Sequence, residues 1–267
     1  MSSFTQTLIA SDPAGHQRAT QSPFLQRAAA GTLSKALLGR WLANDRLYIH
    51  GYIRAAGRLL SFLRLPEAVS HEDRNDNDND NDDDDDDDAA EALLAWVVDA
   101  LVNIQRESRF FLSTAAQYGL DVNLPIDATT GRVPAAAKLD GLRRFEALFD
   151  GLQSSTDEGP LPWLEAAVLF YATERCYLDA WTWAASQMDG AKDGAEDEDG
   201  GAVRRAFIDN WTSAEFAAFV ERLAAVIDGA VRAQGEDAQE ALRRRGMVMW
   251  RAVLEAEAAF WPAVDGS

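Results

Sequence analysis

Long stretches of the chain repeat hydrophobic residues every three or four positions, which is the pattern of amphipathic helices. These stretches are residues 33–63, 89–118, 134–152, 162–187, 202–211, 213–233 and 236–261. The prolines lie at or near their ends, and no convincing run of six residues alternates as a half-buried strand does. Asn44 and Asp45 interrupt the first stretch, which predicts either two helices or one kinked helix. The pattern predicts an all-α chain, a single-domain bundle of about eight helices spanning residues 1–267.

Most of the formal charge of −19 is concentrated in two acidic segments. Residues 72–88 carry −11 and residues 189–199 carry −5, which leaves −3 for the rest of the chain. Because such segments repel themselves and bury no apolar surface, we expect disordered acidic insertions at 72–88 and 189–201. A calcium loop at 72–88 is the less favoured alternative, since the spacing lacks the glycine and closing glutamate of that motif. No basic cluster is present to bind nucleic acid or an anionic membrane.

The sequence offers few of the common catalytic and metal-binding motifs. Cys176 is the single cysteine, which excludes an internal disulfide or a multi-thiolate zinc site. The three histidines are scattered, without a helix-spaced acid, so we expect neither a metal nor another cofactor. Residues 1–11 lack the pattern of a signal peptide, and no apolar run approaches the roughly 20 residues of a spanning helix, which predicts a cytoplasmic protein.

Three acids lie within strongly apolar, aromatic helix stripes, where burying an unpaired carboxylate is costly. Asp45 shares a helical face with Tyr48 and Tyr52, and Glu174 shares one with Tyr177. Near the end of the chain, Glu257 is flanked by apolar and aromatic residues at similar spacings. The three could meet in an aromatic cavity for a small cationic or amino-bearing heteroaromatic molecule. Alternatively, the acids form ion pairs, Glu174 with an arginine of another helix and Glu257 with an arginine of the Arg243–Arg245 run.

Five short motifs follow one another between roughly residues 14 and 262. Residues 22–26 (Ser-Pro-Phe-Leu-Gln) and 31–33 (Gly-Thr-Leu) are followed by Asn44-Asp45 and Tyr48. Phe207, Ile208 and Trp211 form the fourth motif, and Glu257 with Phe260 and Trp261 forms the fifth. In this order they resemble the TenA (thiaminase II) family, whose counterparts of the last two motifs are Trp-Ile-x-x-Tyr and Glu-x-x-Phe-Trp. Trp211 stands in place of the family's Tyr.

The resemblance implies a haem-oxygenase-like fold without haem and a dimeric or tetrameric homo-oligomer. It also implies hydrolysis of 4-amino-5-aminomethyl-2-methylpyrimidine, or its formylamino derivative, to the hydroxymethylpyrimidine of thiamin salvage. By the same resemblance, Asp45 would bind the pyrimidine and Glu257 would be an acid/base. Together with the aromatic stripes, it predicts the following pocket residues: Phe24, Tyr48, Tyr52, Tyr177 and Trp211.

The chain departs from the family at the nucleophile. The best-known branch has a Pro-Cys pair on the middle helix, whereas residues 172–177 read Ala-Thr-Glu-Arg-Cys-Tyr and resemble the E-type branch, which uses Glu instead. Cys176 lies about 200° around the helix from Glu174, so we interpret it as a core residue or passive thiol rather than a nucleophile. Glu174 and Glu257 are therefore the predicted catalytic pair. The alternatives are a non-catalytic module that binds a small aromatic ligand and a purely structural bundle.

Overall fold

The computed structural model describes residues 2–65, 82–153 and 159–264. Its regular elements are all helical, which confirms the predicted fold class. The α-helices are α1 (Phe4–Ser11), α2 (Pro13–Thr20), α3 (Pro23–Ala30), α4 (Lys35–Phe62), α5 (Asp82–Tyr118), α6 (Asp140–Asp150), α7 (Leu164–Ser186), α8 (Ile208–Trp211), α9 (Ala214–Ala233) and α10 (Glu236–Ala258). A short 3-10 turn (Ala135–Ala137) precedes α6, and a π-helical turn (Val203–Phe207) leads into α8.

Helix α7 occupies the centre of the bundle. It packs against α10, α9, α2 and α3, while α4 packs against α5 and α6, and α5 against α9. Three tryptophans, Trp41, Trp181 and Trp250, are completely buried in this core. In the described part of the chain, no helix is both long enough and apolar enough to cross a bilayer.

Helix α4 continues through Asn44 and Asp45 as one element, which resolves the predicted junction. The Asn44 side-chain amide donates to the Arg40 carbonyl at 2.8 Å, and its Oδ1 accepts from the Leu139 backbone N–H at 2.8 Å. Asn44 therefore satisfies a donor at the start of α6 without interrupting its own helix. Asp45 and Tyr48 consequently lie on one continuous helical face.

The two predicted acidic insertions differ from expectation where the structure describes them. Residues 72–81 of the first lie outside the described residues, and from Asp82 onward the backbone is already helix α5. The second, 189–201, packs onto the bundle rather than being disordered. Asp197 forms an ion pair with Arg204 at 3.0 Å, with side-chain exposures of 7% and 9%. The Asp199 carboxylate, 2% exposed, accepts the backbone N–H groups of Gly201 and Val203 at 2.7 and 2.8 Å.

Candidate active site

A cavity of about 810 Å³ lies between α4, α5, α7 and the segment from the π-helical turn to α9. Its aromatic and carboxyl-bearing lining comprises Asp45, Tyr48, Tyr52, Asp99, Glu107, Phe111, Glu174, Tyr177, Asp209, Trp211, Glu215, Phe216 and Phe219. Arg106 and Arg222 are the basic residues among the described residues that line it. Arg222 pairs with Asp99 at 2.9 Å, and both side chains are about half exposed, so the cavity opens to solvent between α5 and α9.

Six of the eight residues predicted for the site line this cavity: Asp45, Tyr48, Tyr52, Glu174, Tyr177 and Trp211. Helix α4 contributes the first three at intervals of three and four residues, and α7 contributes Glu174 and Tyr177 three residues apart. These spacings bring side chains to the same face of each helix. The structure thus brings together residues from three separate segments of the chain.

Glu174 is held by Tyr52 from the facing helix. The Tyr52 hydroxyl donates to Glu174 Oε1 at 2.6 Å. Burial raises the pKa of Glu174 to about 7; the Tyr52 hydrogen bond opposes this rise and the nearby Glu107 charge adds to it. Glu174 can therefore change its protonation state near neutral pH, as a general acid or base must.

Asp45 is the most enclosed acid of the cavity wall. Asp45 is only 4% exposed to solvent. Burial raises the pKa of Asp45 well above its ordinary value, and the charges of Glu107 and Glu174 raise it further. No ion pair joins Asp45 or Glu174 to a base within the described residues. Buried carboxyl groups whose charges act on one another favour a shared proton or a cationic ligand.

Glu257, on α10, is not among the lining residues, although it lies within electrostatic range of them. It is 4% exposed, and burial raises its pKa well above the ordinary value, with further contributions from Asp45 and Glu174. The arginine alternative does not hold for this acid, because Arg245 pairs with Glu165, and Arg243 and Arg244 pair with Glu240. Glu257 therefore interacts electrostatically with Asp45 and Glu174 without lining the cavity.

Phe24 does not line the cavity, in contrast to the prediction. Its side chain is fully buried, with its ring centroid 5.7 Å from that of Trp261 and 5.5 Å from that of Trp41. Phe24, Trp41 and Trp261 form one aromatic cluster, since the two indoles also stack on each other with centroids 5.7 Å apart. Phe24 therefore supports the aromatic core and does not line this cavity.

The sequence interpretation missed Glu107, on α5. Its carboxylate accepts from Trp211 Nε1 at 2.6 Å and from Asn210 Nδ2 at 2.9 Å. Burial raises the pKa of Glu107, and the Trp211 and Asn210 hydrogen bonds oppose this. Ile104 and Phe111 lie three residues before and four after it, so its place on an apolar stripe was a usable signal.

Cys176 lies away from the cavity lining. It is 1% exposed, and burial raises the pKa of its thiol well above the ordinary value. A thiol kept neutral in this way is a poor nucleophile, as expected for a passive core residue. Within the described residues, no group of three or more potential ligands is arranged to hold a metal ion.

Comparison with known proteins adds a strong structural likeness. No protein-family model matches the chain. A probable transcription factor from Fusarium pseudograminearum (strain CS3096) is 24% identical over 237 residues. That match covers 79% of this chain and 42% of the relative, so the chain spans less than half of the relative's length.

Several solved structures that resemble the chain are TenA proteins. A TenA homologue from Pyrococcus furiosus superposes with a TM-score of 0.64 and 22% identity, covering 97% of this chain and 98% of its own. A TenA homologue from P. horikoshii OT3 superposes with a TM-score of 0.63 and 16% identity, and the match covers 97% of each chain. A TenA family transcription regulator from Silicibacter sp. TM1040 superposes with a TM-score of 0.62 and 14% identity, and the match covers 97% of this chain and 94% of the regulator. The chain therefore has the all-helical fold of the TenA homologues.

Proposed function

We propose that the chain is a TenA-type hydrolase that converts 4-amino-5-aminomethyl-2-methylpyrimidine, or its formylamino derivative, to the hydroxymethylpyrimidine. The observation that carries this proposal is the cavity itself, where Asp45, Glu107 and Glu174 lie among aromatic rings and form no ion pair with any base of the described residues. Rings stack on a flat heterocycle, and carboxylates accept hydrogen bonds from its amino groups. An anionic or purely aliphatic ligand would leave these carboxylates repelled or unsatisfied.

In the proposed reaction, water replaces the amine on the exocyclic methylene carbon. The carbon–nitrogen bond breaks, a carbon–oxygen bond forms, and the leaving nitrogen gains a proton. Asp45 would accept a hydrogen bond from the amino side of the ring, and Tyr48, Tyr177 and Trp211 would enclose the ring. The overall change is the addition of water and the release of ammonia, or of formamide from the formylamino derivative.

Glu174 and Glu257 would divide the proton transfers. One carboxylate must be ionised to take a proton from water, while the other must be protonated to give one to the leaving amine. The pKa of about 7 at Glu174 suits either role near neutral pH. Glu257, whose pKa is raised by burial and by the charges of Asp45 and Glu174, suits the protonated role. Because Glu257 does not line the cavity, its proton would reach the leaving amine through an intervening water.

The test is product analysis with the full chain and the aminomethylpyrimidine. We expect the wild-type protein to release hydroxymethylpyrimidine and ammonia, measured by mass spectrometry and a coupled ammonia assay. Glu174→Gln should reduce kcat by about 100-fold or more, as expected for loss of a general acid or base. Cys176→Ser is the matched control from the same helix and should retain turnover.

Thermal shift separates hydrolysis from the non-catalytic alternatives. A ligand that binds the folded state raises the melting temperature whether or not it reacts. Stabilisation by the aminomethylpyrimidine without product would replace the hydrolase with a binding module. Neither stabilisation nor product would leave the structural bundle as the remaining interpretation.

A further inference from the structure

The wall of the cavity contains a hydrogen-bonded link between two helices. Glu107 on α5 accepts from the Trp211 indole N–H at 2.6 Å and from the Asn210 amide at 2.9 Å, both at the C-terminal end of α8. Helix α8 is a single turn that directly follows the π-helical turn Val203–Phe207. The short segment that carries Trp211 is thus tied to a 37-residue helix.

Burial of the Trp211 indole does not by itself explain its hydrogen bond to Glu107. The indole nitrogens of Trp41, Trp181 and Trp250 are buried and make no hydrogen bond among the described residues. The core therefore tolerates unbonded indole N–H groups, whereas burying a carboxylate is more costly than burying an N–H. A carboxylate placed opposite Trp211 needs another explanation.

The geometry around Trp211 shows what the link holds in place. Trp211 is 2% exposed, and its ring centroid lies 4.4 Å from that of Trp181, 4.6 Å from that of Phe207 and 5.5 Å from that of Tyr177. The ring also lines the cavity. A bond at Nε1 fixes the rotation of the indole within this group of rings, and so fixes which part of it faces a ligand.

The charge of Glu107 has a second effect on the same cavity. Its two hydrogen-bond partners are both N–H donors, which favours the ionised carboxylate. Its charge acts on Asp45 and on Glu174. Where these carboxyl groups are ionised, they repel one another unless they share a proton or a positive charge enters the cavity.

We propose that Glu107 is a positioning residue that fixes the Trp211 indole as a wall of the cavity and makes the cavity prefer a cationic ligand over a neutral one. The choice of ligand rests on the proposed function, whereas the link between Glu107 and Trp211 does not.

The link is tested without any ligand by NMR of protein labelled with ¹⁵N-tryptophan. The chain has eight tryptophans, and Trp211→Phe identifies the Trp211 indole signal by its disappearance. A short bond to a carboxylate moves the indole proton downfield, so Glu107→Gln should shift this signal upfield. Glu91→Gln makes the same chemical change at an exposed position of α5 and should leave the signal in place. An unmoved Trp211 signal in Glu107→Gln would overturn the positioning role.

Preference for a cation is tested with a matched pair of pyrimidines. They are 4-amino-5-(2-aminoethyl)-2-methylpyrimidine, which is cationic, and its neutral 2-hydroxyethyl counterpart. The longer arm places the amine away from the ring-activated carbon, so binding can be measured by calorimetry without turnover. Glu107→Gln should raise the Kd of the aminoethyl compound on the order of tenfold and that of the hydroxyethyl compound less than about twofold. Glu91→Gln should change neither.

The outcomes separate this proposal from the proposed function. If the wild-type protein makes no product, the hydrolase proposal fails. The Trp211 indole signal and the ratio of the two Kd values still test the role of Glu107 in that case. If the wild-type protein turns over, yet Glu107→Gln changes both Kd values equally, the preference for cations is refuted. Failure of the wild-type protein to bind the aminoethyl compound refutes it too.

Discussion

Replacing Glu174 with glutamine should make the folded protein more stable at pH 8 and leave its stability nearly unchanged at pH 4.5. The pKa of Glu174 rises from an ordinary value of 4.5 to about 7 on folding, mainly through burial. The folded state therefore binds this proton more tightly than the unfolded state, and the free energy of unfolding falls as pH rises between these values. Glutamine keeps the size of the side chain and an oxygen that can accept from Tyr52, without the charge.

The magnitude follows from the two pKa values. Their difference corresponds to about 3 kcal/mol above pH 7, at 1.36 kcal/mol for each tenfold change in the proton affinity. Because Glu174 is partly exposed to the cavity, solvent there reduces the expected gain of Glu174→Gln to about 2–3 kcal/mol. Near pH 5.5 the gain should be roughly half as large, and at pH 4.5 it should nearly vanish.

Urea unfolding followed by circular dichroism at pH 4.5, 5.5, 7 and 8 measures this dependence. Glu165→Gln is the control on the same helix, where Glu165 accepts from Arg245 at 2.6 and 2.7 Å. That variant should lose about 1 kcal/mol at pH 7, since it breaks a charge pair. Equal stability of wild type and Glu174→Gln at pH 8, or a gain that is the same at every pH, would refute the reasoning.

Three further predictions concern the site and its support. Tyr52→Phe removes the hydrogen-bond donor that favours ionised Glu174, so the ascending limb of the pH profile of kcat/KM should move to higher pH by about one unit. Tyr48→Phe, the control, should leave that limb in place. Cys176 should resist a thiol reagent in the native state and react in urea, and a loss of turnover above about 100-fold in Cys176→Ser would instead make it a nucleophile. Asp199→Ala removes two buried hydrogen bonds and should lower the free energy of unfolding by about 2 kcal/mol; no change in urea unfolding would mean that the loop is solvated, as its composition predicted.

The acidic loop shows where composition was misleading. Residues 189–201 look like a solvated segment because acids and glycines dominate them. They are instead held on the bundle by the ion pair of Arg204 with Asp197 and by the two backbone N–H groups that donate to Asp199. Pairing across a turn is not visible in composition, since it depends on where the next helix begins.

Candidate chemistry was predictable where a single helix carried the pattern. Asp45 with Tyr48, and Glu174 with Tyr177, could be recognised because spacings of three residues put both side chains on one face. Phe24 could not be judged in this way, since an aromatic residue on a short helix fits the core and a pocket equally well. The apolar stripe around Glu107 was a local signal of the same kind, but its partner Trp211 lies 104 residues later in the chain, so the hydrogen bond between them could not be predicted.

The sequence by itself determined the class of fold and the acids worth considering, because helical periodicity and the cost of burying charge are local properties of the chain. It determined that α4 and α7 each present a carboxyl group among rings. Only the tertiary structure decided that these faces surround one cavity, that Tyr52 rather than an arginine meets Glu174, and that Glu107 joins them. Such contacts depend on how helices distant in sequence pack, and packing is set by the shapes of many side chains at once.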